Sequence, residues 1–143
     1  MIDSELVTRK IVLVMRDLDA LRPIAARDRA VYLESPIDEA AVERYLERMI
    51  GRMIDINYHL LTESGQAPPV DYHASFIRLA DLGVLDREFA ARIAPCAGLR
   101  NRIVHEYDDL DPSKVFEALQ SAMRDVPLYL AQVNDFLRRR PDE

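Results

Sequence analysis

Four side chains of different chemistry fall within eight residues of this sequence: a fixed cation, a carboxamide, an imidazole and a phenol. They are Arg100, Asn101, His105 and Tyr107, in the run Arg100-Asn101-Arg102-Ile103-Val104-His105-Glu106-Tyr107, and no other window concentrates such groups so densely. Cleaving RNA without a metal needs an acceptor for the ribose 2′-hydroxyl proton, a donor for the leaving 5′-oxygen, and a cation for charge building on phosphorus. An imidazole, with a reference pKa of about 6.5, can give or take that proton near neutrality. The Arg100 guanidinium offers a rigid fork of donors that matches phosphate, and Asn101 can orient either the imidazole or the phosphate. One such histidine per chain leaves acid and base roles hard to fill together. A second copy across a two-fold axis would bring a second histidine to one cleft, so the chemistry suggests a homodimeric site.

If the run is helical, Arg100 and Tyr107 lie within about 20° of each other and Asn101 and His105 within about 40°, so all four share one broad arc. Ile103 and Val104 would then hold the helix against a core. Spacing alone leaves a second reading open, a solvated helix face or a satisfied core histidine.

The elements that must position this run read as helices throughout. Four glycines, no Asn-Gly or Asp-Gly pair and apolar spacings of three and four predict an all-α chain. Val7, Ile11, Val14, Leu18 and Leu21 line one face of a first helix expected to stop before Pro23, with Arg9, Arg16 and Asp17 on the opposite face. A short polar helix follows over Ile24 to Leu33. Ser35-Pro36-Ile37-Asp38 reads as a helix start, with Ser35 the N-cap, Pro36 in the first turn and Asp38 at the positive end of the dipole. Val42, Leu46, Met49, Met53, Ile56 and Leu60 continue that helix until Ser64-Gly65 and the Pro68-Pro69 loop.

From Asp71 a shorter helix carries Phe76, Leu79 and Leu82 to Gly83, and Asp86 is placed to cap the next, whose buried line is Phe89, Ile93 and Leu99 with a kink at Pro95. Asp111-Pro112 opens a last helix through Val115, Leu119, Met123, Val126, Leu130, Val133 and Leu137, bent at Pro127. The whole, residues 1–143, is expected to form a single domain, a bundle of three long helices and two or three shorter ones. Met49, Met53, Phe76, Phe89 and Phe116 belong to packing.

Composition bounds the function. The chain is 49% hydrophobic and 31% charged, with no stretch of the roughly 20 apolar residues that a membrane span needs. The start, Met1-Ile2-Asp3-Ser4-Glu5, lacks the pattern of a secretory signal, which predicts a cytoplasmic location. Cys96, the single cysteine, excludes an intrachain disulfide and argues against a structural zinc site. It reads as a small core residue. A net charge of −6 requires that any RNA site be a local basic patch. Asp55 and His59 are too few for a metal site, so none is expected, and Asp55 reads instead as a group lining or bracing the cleft. His59 and His73 read as surface or capping residues, and Arg138-Arg139-Arg140 as cations suited to a helix C-terminus.

Arg100 to Tyr107 resembles the R-N-x-x-x-H-x-Y form of the R-x(4–6)-H signature of the HEPN superfamily, and in particular its HepT family. The resemblance extends to Glu47–Leu61, to Phe76–Gly83 and to Ala97-Gly98-Leu99, and covers about Leu6 to Leu137. It implies a kinked antiparallel HEPN-like bundle of about five to six helices. It further implies an endoribonuclease toxin of a toxin–antitoxin pair, acting on tRNA or mRNA without a cofactor, with no DNA or membrane partner. Arg100 and His105 take the catalytic positions and Asn101 that of the polar residue after the arginine. Tyr107 takes the position to which an MNT-type nucleotidyltransferase antitoxin transfers AMP, inactivating the toxin. The competing reading is a non-catalytic HEPN module that binds a nucleotide or a nucleotidyltransferase partner.

Overall fold

The apolar line beginning at Val7 forms a 22-residue helix, α1 (Ser4–Ala25), in which Val7, Ile11, Val14, Leu18 and Leu21 are buried. In this computed structural model of the chain, residues 1–140 are described, and the last three positions of the expected 1–143 domain lie outside them. After α1 come α2 (Arg29–Leu33), α3 (Pro36–Glu63), α4 (Tyr72–Asp81), α5 (Arg87–Ile93), α6 (Cys96–His105), a 3-10 turn (Tyr107–Asp109) and α7 (Pro112–Arg139). No strand occurs among the described residues.

The helix starts follow their caps. Ser35 Oγ accepts from the Asp38 N–H at 3.3 Å with Pro36 in the first turn, and Asp111 accepts from the Ser113 N–H at 2.9 Å with Pro112 in the same place. Such caps are each worth about 1 kcal/mol. Asp71 caps α4 through the Ala74 N–H at 2.7 Å, whereas Asp86 sits at the N-cap of α5 without a side-chain bond. Gly65 (φ 81°) and Gly83 (φ 83°) end α3 and α4 in the left-handed region, with Gln66 and Val84 donating back to the Leu61 and Leu79 carbonyls. Only glycine takes that conformation without strain.

Cross-helix partners give the topology. Asp3 meets His59, Lys10 meets Asp55 and Asp17 meets Arg48, so α1 and α3 run antiparallel. Gln120 meets the Ala25 carbonyl at 2.8 Å, and Pro127 and Asn134 share a groove with Leu18 and Thr8, so α7 is antiparallel to α1 as well. The three long helices enclose a core that includes Met49, Met53, Phe76, Leu79, Leu119 and Tyr129.

Three local expectations give way. α1 continues through Pro23 to Ala25, because Ile24 and Ala25 pack on the core and the Gln120 carboxamide satisfies the terminal Ala25 carbonyl. Pro95 does more than kink a helix: it divides α5 from α6, and Leu99 is half-buried rather than fully so. Asp17, expected on the solvent side, is 3% exposed and held by Arg48 and by Arg52, the latter at 2.8 Å. A buried carboxylate is tolerable when two guanidinium groups replace its water. α7 runs unbroken through Pro127.

A buried polar chain crosses the core. Tyr129 Oη donates to Asn57 Oδ1 at 2.6 Å with the Met53 carbonyl 3.1 Å away, Asn57 Nδ2 donates to Ser75 Oγ at 3.0 Å, and Ser75 Oγ donates to the Tyr72 carbonyl at 2.6 Å. Asn57, Ser75 and Tyr129 have no exposed surface. Burial pushes the Tyr129 phenol well above its ordinary range, keeping it a donor. The network ties α7 through α3 to the first turn of α4.

Candidate active site

α6 carries the motif on a ten-residue helix whose inward face is Ala97 and Ile103, both buried, with Val104 half-buried beside them. Asn101 and His105 are exposed and Arg100 is half-buried. On this helix Asn101 and His105 share a side, while Arg100 and His105, five residues apart, diverge by about 140°.

Tyr107 departs from the expected arc. α6 ends at His105, Glu106 leaves helical geometry (φ −130°, ψ 32°), and Tyr107 begins the 3-10 turn closed by the Asp109 N–H on the Glu106 carbonyl at 2.9 Å. The physical reason is local. Glu106, Asp108 and Asp109 bring negative charge to the negative end of a helix dipole, and Asp111 before Pro112 must be extended. The phenol therefore stands on a turn, 66% exposed, rather than over Arg100 on the helix.

The surroundings of Arg100 are aromatic. Its guanidinium carbon lies 5.6 Å from the centroid of the Tyr72 ring, and Tyr72 meets Tyr58 edge-on at 6.1 Å. Arg100 has no hydrogen bond or ion pair among the described residues, and its Nε is buried without a partner. Burial and the neighbouring Tyr72 and Asp71 push the Tyr58 phenol up. No spacing rule in the sequence relates residues 58, 72 and 100, so this cluster was not legible there.

Asp55, expected to line or brace the cleft, is exposed on α3 and pairs with Lys10 at 3.2 Å, so what it braces is the packing of α1 on α3. His59 Nε2 accepts the Asp3 N–H at 2.9 Å, a capping role, and His73 is exposed near the start of α4. Among the described residues, no three His, Cys, Asp or Glu side chains are grouped to hold a metal ion. No described helix is long and apolar enough to cross a membrane.

On another side of α6 lies a cavity of about 620 Å³ between α3, α5–α6 and α7, floored by Met49, Met53 and Leu99 and edged by Arg102, Asp109 and Lys114. Arg100, Asn101 and His105 do not line it. Half-buried Cys96 does, and burial, with the Asp125 carboxylate, pushes its thiol up to about 12. Asp125 itself is 5% exposed and held by Arg92 and Arg124, each at 2.9 Å, so those cations are committed to it.

The family described as Ribonuclease HepT-like matches residues 15–133. A tRNA nuclease HepT of Aphanizomenon flos-aquae is 37% identical over 136 residues, which cover 95% of this chain and 92% of that protein. Two solved structures share the fold. A Shewanella oneidensis HEPN toxin, tri-AMPylated and in complex with an MNT antitoxin, superposes with a TM-score of 0.81 at 21% identity, over 91% of this chain and 97% of that one. A chain of a toxin–antitoxin crystal structure with AMP-PNP gives 0.83 at 20% identity, over 92% and 98%. The span of the family match encloses the whole motif and every helix except the first half of α1 and the last six residues of α7, and the chain belongs to the HepT-like ribonuclease family.

Proposed function

We propose that this ribonuclease is the toxin of a toxin–antitoxin pair, and that Arg100, Asn101 and His105 cleave RNA without a metal in a cleft completed by a second copy of the chain. The observation that carries the reading is the state of the motif side chains. Arg100 makes no hydrogen bond or ion pair among the described residues, and Asn101 and His105 stand exposed on one side of the same short helix. A structural arginine and histidine would be expected to find partners.

In the reaction, the ribose 2′-oxygen forms a bond to phosphorus as the bond to the 5′-oxygen breaks. One His105 imidazole accepts the 2′-hydroxyl proton, and the His105 of the second copy donates a proton to the leaving 5′-oxygen. Arg100 binds the phosphorus oxygens while their charge rises, which is the work its two terminal nitrogens can do best. Asn101 orients the phosphate or the imidazole. The substrate class is RNA, with tRNA first to be tested because the relative at 37% identity is named a tRNA nuclease.

Regulation falls to Tyr107. A nucleotidyltransferase antitoxin of the MNT type would direct the phenol oxygen onto the α-phosphorus of ATP, releasing pyrophosphate and the phenolic proton and leaving AMP on the ring. At 66% exposure the ring is open to a second protein's active site. Two residues after His105 along the chain, the added anion and nucleoside would crowd RNA from the motif.

The test uses purified, unmodified protein with tRNA in the presence of EDTA. Cleavage by the wild type and none by His105→Ala is the expected result, and full activity in that variant refutes the assignment. Incubation with the partner and ATP should add AMP mass at Tyr107, and none in Tyr107→Phe. Modification mapped to another residue removes the regulatory half.

A further inference from the structure

We infer that Tyr72 is a positioning residue for the reaction: its ring holds the Arg100 guanidinium in the orientation in which it meets the scissile phosphate. The inference rests on the function proposed above, and assigns a role to a residue from a different helix, 28 positions earlier in the chain.

Three observations converge. The Arg100 guanidinium lies over the Tyr72 ring at 5.6 Å, the one described interaction of a side chain whose Nε is buried and unpartnered. An arginine in a protein ordinarily fixes its plane by hydrogen bonds to a carboxylate or carbonyl. Here a ring face does so, and a ring face takes up none of the N–H donors, leaving the four on the two terminal nitrogens for an anion. A carboxylate in the same place would neutralise the charge that the reaction needs.

The second observation is that the ring is itself held. Tyr58 meets it edge-on at 6.1 Å. The third is the buried chain from Tyr129 through Asn57 to Ser75, which ends on the carbonyl of Tyr72 itself at 2.6 Å. Asp71, the preceding residue, caps α4 at 2.7 Å. The first turn of α4 is therefore fixed on both sides, and a guanidinium held over the Tyr72 ring inherits that placement. Transition-state stabilisation by a fixed cation depends on such pre-organisation.

The test compares Tyr72→Phe, which keeps the ring face, with Tyr72→Leu, which removes it, and Tyr72→Gln as a second ring-free variant should Leu impair folding. Steady-state cleavage of tRNA should show kcat lower by about tenfold in the ring-free variants with KM within about twofold, while Phe stays within about threefold of wild type. The Arg100 Nε–H proton, observed in 15N-labelled protein, should carry a ring-current shift in wild type and Phe that disappears in Leu or Gln. In an Arg100→Lys background, removing the ring should cost no further activity, since an ammonium does not need its plane set.

Wild-type kcat in a ring-free variant overturns the inference, as does equal loss in Phe, equal loss in the Arg100→Lys background, or an Arg100 signal indifferent to the ring. The nuclear magnetic resonance arm is read without cleavage. If His105→Ala and Arg100→Ala cut RNA normally, the function reading fails; if they are dead and Tyr72→Leu is not, the positioning role alone fails.

Discussion

Apart from the Tyr32 hydroxyl, the buried polar side chains of the bundle core and the motif side chains of α6 are in opposite states. In the core, Asp17 is held by two arginines, Asp125 by two more, and Asn57 by Tyr129 and Ser75. On α6, Arg100 has a ring face in place of a hydrogen-bonding partner, and Asn101 and His105 face solvent. Fully paired buried groups fix geometry, because breaking any one leaves another desolvated and alone. Unpaired groups on a rigid helix are available to a substrate. The contrast separates residues that hold the fold from residues that the proposed reaction needs, though all are polar and several are of the same type.

The contrast is broken or sharpened by substitution on each side. The largest effect is expected on α6, where His105→Ala and Arg100→Ala should each lower RNA cleavage by about 10²–10⁴-fold. Their melting temperatures by circular dichroism should stay within about 2 °C of wild type. A large fall in stability would mean that these side chains belong with the core after all.

Next is the thiol in the groove behind α6. With Cys96 pushed up to about 12, its thiolate is scarce at pH 8. The native protein should therefore react with iodoacetamide about 10³-fold more slowly than the same protein unfolded in guanidinium, followed by mass spectrometry. Fast native labelling would show the groove to be polar and open.

On the core side, Asn57→Ala should destabilise the fold by about 2 kcal/mol, near 6 °C in melting temperature, by removing its bonds to Tyr129 and Ser75, whose hydroxyls keep the Met53 and Tyr72 carbonyls as acceptors. Activity per folded molecule should fall with it only as far as Tyr72 is displaced. The smallest effect is of opposite sign. Tyr32 is fully buried with a hydroxyl that has no partner among the described residues, and burial with Glu39, Glu43 and Asp38 nearby pushes that phenol up. Tyr32→Phe removes an unsatisfied group and should raise stability by about 1 kcal/mol in a denaturant titration. A loss would place an ordered water on that oxygen.

Much of the fold was legible because its signals are local. A cap is a side chain reaching two or three residues along its own chain, so Ser35-Pro36 and Asp111-Pro112 mark α3 and α7 correctly. The apolar lines of α1, α3 and α7 repeat at the helical period and are buried as that period requires, except that Met123 and Leu137 of α7 are half-buried. The motif was legible for the same reason, since its residues are neighbours in sequence and α6 does present Asn101 and His105 together. Pro23 and Pro95 were harder. A proline weakens a helix, but whether the helix ends there depends on what packs beyond it, and that is not written within the segment.

What the sequence determined by itself is therefore the inventory of chemistry and the helices that carry it: Arg100, Asn101 and His105 on one short helix inside an all-α chain. Only the tertiary structure decided the rest. It drew Asp17 inward, because Arg48 and Arg52 come to meet it from α3. It also brought Tyr72 of α4 to Arg100, and Tyr58 of α3 to Tyr72. Helical periodicity places a side chain on a face, but which distant residue meets that face is set by packing, and packing is a property of the whole bundle.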